Sequence, residues 1–162
     1  MRVLQQGDLR LRPGSMDDVP AALPWYSDPE VMRGSEATGE PYNAETVGRM
    51  YKYLMENGEF YIIEFLEKGK WISIGDVCLL KNSTPIVIGN KIYRSNGIGK
   101  RVLSMLVKRA LELGWKEMYA KGIYSYNVRS LKLFKSIGFQ ETGRLERKDG
   151  IVEISMKLDL LH

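Results

Sequence analysis

The sequence predicts a mixed α/β fold of the α+β kind, organised as a single domain over residues 1–162. Three observations predict it. Short β-branched or alternating runs interleave with amphipathic stretches at helical spacing. Two of those runs flank Glu67-Lys68-Gly69-Lys70, a hairpin signal, and a glycine-rich turn at residues 94–100 joins an apolar run to a long amphipathic stretch. A chain of 162 residues with 44% hydrophobic content is long enough to bury a sizeable core.

The elements follow in order. Leu9-Arg10-Leu11-Arg12 alternates as an opening strand. Ser15-Met16-Asp17-Asp18 has the form of a capping box and predicts a first helix running through Trp25. Asp28-Pro29 is a cap followed by proline at the first helical position, so a short helix starts there. Asn43 caps the next, in which Val47, Met50, Tyr51 and Leu54 share a face and Gly58 ends the run. Residues 60–66 and 71–80 form the hairpin strands, and Ile86-Val87-Ile88-Gly89 reads as a short buried strand. Beyond the turn, Ile98, Val102, Leu106, Ala110 and Leu113 recur at helical spacing, with Gly114 as the stop. A strand over residues 119–123, a helix from Asn127 to Gly138, and two strands around Lys148-Asp149-Gly150 complete the chain.

Composition narrows the function. No apolar run is long enough to span a membrane and no signal-peptide pattern opens the chain, so a cytoplasmic protein is expected. The one cysteine, Cys78, sits in an apolar strand and reads as a buried structural thiol. The one histidine is His162, the last residue, so Ser-His-Asp or Cys-His catalysis and most zinc sites lack an internal imidazole; no metal is expected. The net charge of +4 is modest and the two signs interleave, which argues against nucleic acid as a partner. The nearest basic pairs, Lys100-Arg101 and Lys132 with Lys135, flank the two glycine-containing turns and suit local phosphates equally well.

The turn itself is the chemical signal. A strand that passes through Gly97 and Gly99 into a helix start aims backbone N–H groups and a helix dipole at one point, which suits a phosphate. A dinucleotide fingerprint needs a third glycine where Val102 stands. A P-loop needs glycine at Arg94 and a hydroxyl residue at Arg101. Neither pattern is met.

What remains, Arg-x-x-Gly-x-Gly at residues 94–99, resembles the acyl-CoA loop of the GCN5-related N-acetyltransferase superfamily. A second stretch is similar too: Asn127, Ser130 three residues later, an amphipathic helix with Leu131, Leu133, Phe134 and Ile137, then Gly138-Phe139. The order of strands and helices also resembles that superfamily over nearly the whole chain. Leu9-Arg10-Leu11-Arg12-Pro13, Asp28-Pro29-Glu30-Val31-Met32 and Ile74-Gly75-Asp76-Val77 resemble its RimJ/RimL-like branch of ribosomal-protein N-terminal and spermidine acetyltransferases. The resemblance implies a central mixed, largely antiparallel sheet, splayed at the acyl-CoA site, with helices on both faces.

It also implies a function: transfer of an acetyl group from acetyl-CoA to a primary amine by direct attack in a ternary complex. The acceptor would be a peptide N-terminus, a polyamine, an antibiotic or another small amine, and the chain a monomer or homodimer. Carried over by position, Val87, Ile88 and Gly89 meet the pantetheine. Arg94, Ser95, Asn96, Gly97, Ile98, Gly99 and Lys100 wrap the diphosphate, and Asn127, Ser130 and Phe134 line the far side. A backbone N–H in the Ile88–Gly89 region is the candidate oxyanion donor. Many relatives place tyrosine four residues before the final glycine, as acid for the departing sulfur; here that residue is Phe134. Tyr124 and Tyr126, water, or unassisted departure are the substitutes, and an acyl-CoA-binding regulatory module without transferase activity is the rival reading.

For the base, Glu64 and Asp76 each interrupt an apolar strand. By alternation Glu64 shares a face with Phe60, Ile62 and Leu66, and Asp76 one with Ile72, Ile74 and Cys78. Burial would raise either carboxyl toward the range useful for proton transfer, although a structural carboxylate fits both positions as well. Glu36 and Glu40 stand where they could attract a cationic amine, or simply as loop charges.

Overall fold

The computed structural model describes residues 1–161, so the terminal His162 lies outside the described residues. A hairpin opens the chain. Strand β1 (Leu4–Gln6) pairs antiparallel with β2 (Leu9–Pro13) around Gly7, whose φ of 61° suits a residue without Cβ. Strand β1 is not legible in the sequence, because its three residues, two of them glutamine, carry no strand pattern.

The expected first helix is broken. Ser15 and Asp18 do form the capping box, but it starts only a 3-10 turn (Met16–Asp18), followed by α1 (Val19–Ala22) and a second turn (Trp25–Ser27). Pro24, lacking an N–H, cannot continue the helix to Trp25. Helix α2 (Pro29–Ser35) starts at Asp28, whose side chain accepts from the Glu30 N–H. Helix α3 (Ala44–Asn57) starts at Asn43, which accepts from the Thr46 N–H.

Strands β3 (Gly58–Glu67) and β4 (Lys70–Leu80) form the long hairpin. Lys68 and Gly69 both take positive φ at its turn, the geometry that matches the twist of paired strands. Ile63 pairs with Gly75 but Glu64 pairs with Ser73, so Ile74 is an extra, bulged residue. The bulge corrects the alternation argument. Cys78 stays on the Asp76 face, opposite Phe60, whereas Ile72 and Ile74 turn to the other face and join the opposite core.

The remaining elements are β5 (Ile86–Ile88), α4 (Ile98–Glu112), β6 (Glu117–Tyr124), α5 (Val128–Ile137), β7 (Gln140–Glu146) and β8 (Val152–Asp159). They complete two antiparallel sheets, ordered β1-β2-β3-β4-β5 and β6-β8-β7. Helices cover both faces, as expected. On one, α4 places Val102, Leu103, Leu106 and Ala110 against Leu11, Tyr61 and Met156; α5 adds Phe134. On the other, α3 places Val47, Tyr51 and Leu54 against Phe60, Ile62 and Cys78. Leu113 departs from expectation. It lies at the C-cap of α4 and is 40% exposed, because Gly114 has already turned the chain away. No helix among the described residues is long and apolar enough to cross a membrane.

The break between the sheets decides where a ligand can enter. Among the described residues no ladder joins β5 to β6. Their closed end is stitched instead by side chains: Thr84 donates its hydroxyl to the Tyr119 carbonyl at 2.8 Å, and Ser83 accepts from the Lys121 N–H at 3.2 Å. From there the strands part.

Candidate functional site

A cleft of about 760 Å³ fills the gap between β5 and β6 and runs over the starts of α4 and α5 and along α2. Of the residues expected to hold the cofactor, Val87, Ile88, Arg94, Ser95, Gly97, Ile98, Gly99, Lys100, Asn127, Ser130 and Phe134 line it. Gly89 and Asn96 do not. Gly89 lies against Trp25, where an added Cβ would come within 2.1 Å of the indole. Asn96 turns back to donate to the Ile92 carbonyl.

The turn presents its backbone to this cleft. Ser95 and Gly97 take left-handed φ values of 65° and 76°, and an added Cβ at Gly97 would meet open space. Gly97 is also the N-cap of α4, and it has no side chain with which to cap it. Helices α2, α3 and α5 each receive a side-chain cap, from Asp28, Asn43 and Asn127. The first N–H groups of α4 thus face the cleft without an oxygen from the chain itself. Gly99 answers a different need: Leu133 of α5 packs 3.1 Å from where its Cβ would be.

Arg94 is held by the chain itself. Its side chain is 9% exposed and fully engaged. Nε donates to the Ile88 carbonyl at 2.7 Å and one terminal nitrogen to the Gly89 carbonyl at 2.9 Å. The guanidinium also pairs with Asp28 at 3.2 Å and Glu30 at 2.9 Å. It fixes the strand carbonyls and the start of α2. Lys100 faces the cleft with no carboxylate within ion-pairing distance among the described residues, whereas Arg101 reaches back to Asp8 at 2.7 Å. Lys132 and Lys135 stand outside the cleft lining.

At the α5 start, Asn127 Oδ1 accepts from the Ser130 N–H at 3.3 Å, so capping is its observed contact. Its Nδ2 faces Gly34 of α2, where a Cβ would lie 2.9 Å away. Phe134 is buried and meets Phe139 edge-on at 5.0 Å, the packing role that phenylalanine fills without a hydroxyl.

The two carboxylates proposed as bases part company. Glu64 accepts from Arg10 Nε at 2.6 Å and pairs with Arg12 at 3.2 Å, and it is not a cleft residue. Two guanidiniums on the neighbouring strand satisfy it as a structural carboxylate. Asp76 lines the cleft and is 4% exposed. Tyr26 donates to it at 2.7 Å and Tyr51 at 2.7 Å. Burial pushes its carboxyl up to about 6, against the two tyrosine hydrogen bonds that hold it down.

Of the other candidates, Tyr126 lines the cleft and donates to the Arg33 carbonyl at 2.7 Å, while Tyr124 stacks on it at 5.4 Å from a position outside the lining. Glu36 accepts from the Tyr42 hydroxyl at 2.8 Å, and neither Glu36 nor Glu40 reaches the cleft. Nothing in the residue pattern points to the tyrosine pair around Asp76, the Thr84 stitch, or Arg33 and Lys121 in the lining. Tyr51 was legible only as a core position.

Comparison with known proteins places the fold and the family. Residues 8–140 match the family model of the acetyltransferase (GNAT) domain. An uncharacterised protein of Methanocaldococcus jannaschii is 27% identical over 147 residues, which are 86% of this chain but 30% of that protein; the chain thus spans under a third of its relative's length. The fold is similar to that of a GNAT-family acetyltransferase from Bacillus anthracis, with a TM-score of 0.81, 16% identity, and 98% and 99% of the two chains covered. It is similar as well to that of RimL, the ribosomal L7/L12 alpha-N-protein acetyltransferase solved with coenzyme A, with a TM-score of 0.78, 12% identity and 98% of each chain covered. With the family model matching most of its length, the chain belongs to the GNAT acetyltransferase family.

Proposed function

We propose that the chain is an N-acetyltransferase that moves an acetyl group from acetyl-CoA to a primary amine in a ternary complex. The observation that carries this is the uncapped start of α4, set at the mouth of a cleft between two strands that no ladder closes. Free N–H groups and the positive end of a 15-residue helix suit a diphosphate, and Lys100 adds charge beside them. The gap lined by Val87 and Ile88 suits the slender pantetheine arm. RimL, of the same fold, is known with coenzyme A, which supports the reading.

Acetyl-CoA supplies an activated thioester whose carbonyl takes the amine nitrogen and releases the thiolate. The chain's own residues do the rest. Asp76, ionised at neutral pH with its carboxyl at about 6, accepts the proton that the ammonium must lose. Tyr26 and Tyr51 hold that carboxylate in one orientation. A backbone N–H in the Ile88–Gly89 stretch, whose carbonyls Arg94 holds in place, meets the developing oxyanion. Phe134 donates no proton, so the thiolate departs without help from that position, as its low pKa permits.

Gly97→Glu tests the placement. A carboxylate projecting from Gly97 opposes the diphosphate while clashing with nothing inside the fold. CoA affinity measured by calorimetry should fall at least about 100-fold, with the thermal transition retained. Unchanged affinity refutes the site. CoA binding without thiol release for any amine or N-terminal peptide leaves the binding-module reading, which Phe134 favours.

A further inference from the structure

We infer that the acceptor is an amine that also carries an anionic group, a carboxylate or a phosphate, recognised by Arg33 and Lys121; this rests on the acetyltransferase reading of the same cleft. Among the described residues only two carboxylates line the cleft, Glu30 and Asp76. Glu30 is neutralised between Arg94 at 2.9 Å and Arg129 at 3.4 Å. Asp76 is buried between two tyrosine hydroxyls. Neither offers a second anchor to a polycation.

Arg33 and Lys121 line the same cleft, and neither has a carboxylate within ion-pairing distance among the described residues. Arg33 is held in place nonetheless. Its guanidinium lies 5.6 Å from the Tyr126 ring, the Tyr126 hydroxyl donates to the Arg33 carbonyl at 2.7 Å, and Tyr126 stacks on Tyr124. Lys121 sits on β6, its backbone N–H tied to Ser83 at the closed end of the splay. A cation fixed by an aromatic ring, with its charge unspent, is preorganised for an anion. A diamine or polyamine would bring its remaining charge toward Arg33 and Lys121 with no carboxylate to receive it. An amino carboxylate or amino phosphate places its amine toward Asp76 and its anion toward the two cations, a difference that selects by repulsion as well as attraction.

The test measures thiol release with four acceptors of matched length: an alkylamine, an ω-amino carboxylate, an aminoalkyl phosphate and an α,ω-diamine. The inference expects kcat/KM for at least one anionic acceptor to exceed that of the alkylamine and the diamine by about tenfold, and the advantage to shrink as salt rises from roughly 0.05 to 0.5 M. Whichever anionic arm leads identifies the group. Arg33→Gln and Lys121→Gln should each raise KM for that acceptor about tenfold, with the CoA dissociation constant and melting temperature holding. A diamine that equals the anionic acceptors, or variants that leave KM in place, overturns the inference while acetyl transfer stands. Thiol release from none of the four, with CoA bound, overturns both.

Discussion

Replacing Asp76 by asparagine should reveal one carboxyl in two independent measurements. The side chain keeps its shape, and the Tyr26 and Tyr51 hydroxyls keep an oxygen to approach, but the titratable proton is gone. In the native protein burial lifts this carboxyl from 3.8 to about 6, so the folded chain binds the proton more tightly than the unfolded one. A rise of about two pK units corresponds to about 3 kcal/mol. The sign follows from proton counting. Between about pH 4 and pH 6 the native state holds more protons than the unfolded state, so this group's stabilisation is complete below pH 4 and is lost as pH rises through 6. Urea unfolding of wild type and Asp76→Asn at pH 4, 5, 6 and 7 should therefore show the wild type losing about 3 kcal/mol relative to the variant across that window. Thiol release carries the second signature. Wild-type kcat/KM should rise through a pKa near 6, and Asp76→Asn should lose that limb along with about 10²- to 10⁴-fold in rate. Parallel stability profiles would refute the raised carboxyl, and a variant within threefold of wild type would refute the base.

Other perturbations separate the supports of the cleft. Arg94→Ala should cost about 2–4 kcal/mol, because the Ile88 and Gly89 carbonyls and Asp28 lose their shared partner; an unchanged thermal midpoint would refute the clamp. Gly75→Ala should be far worse than Gly97→Ala. A Cβ at Gly75 would lie 2.0 Å from the Val87 carbonyl oxygen and pry β5 from β4, whereas Gly97 pays only about 1 kcal/mol for its positive φ. Equal melting temperatures would contradict that contrast. Cys78, buried and pushed up to about 12, should resist disulfide-reagent titration in native buffer and react fully in denaturant; rapid native labelling would show that its strand is open to solvent.

What could be read from the chain was what is local. The caps at Asp28, Asn43 and Asn127, the Lys68-Gly69 hairpin and the glycine turn before α4 each depend on neighbours in sequence, and each stands where the residues put it. The first helix failed because Pro24 outweighed an otherwise sound capping box. Alternation failed in β4 for a subtler reason. A bulge of one residue reverses every side chain before it, and Ile74 has no composition that betrays a bulge. Nor can spacing show what partner a charge will find. Glu64 and Asp76 look alike as carboxylates in apolar strands, yet one meets two arginines from β2 and the other two tyrosines fifty and twenty-five positions away.

That difference in partners also joins the two halves of the site. Asp28 caps α2 and pairs with Arg94, and Arg94 holds the carbonyls of Ile88 and Gly89 beside the proposed cofactor loop. One residue before Asp28 the 3-10 turn ends that carries Tyr26, whose hydroxyl donates to Asp76, the proposed base. Gly89 packs on Trp25 of the same turn. A shift of this short segment therefore moves the Asp76 carboxylate and the strand end together. Removing the Asp28 carboxylate while keeping a cap, with Asp28→Ser, should then lower kcat for amine transfer and weaken CoA binding in the same variant, each by about threefold to tenfold. If calorimetry and thiol release instead show only one of the two affected, the segment does not couple them, and Asp76 and the α4 loop act as separate sites that happen to share a cleft.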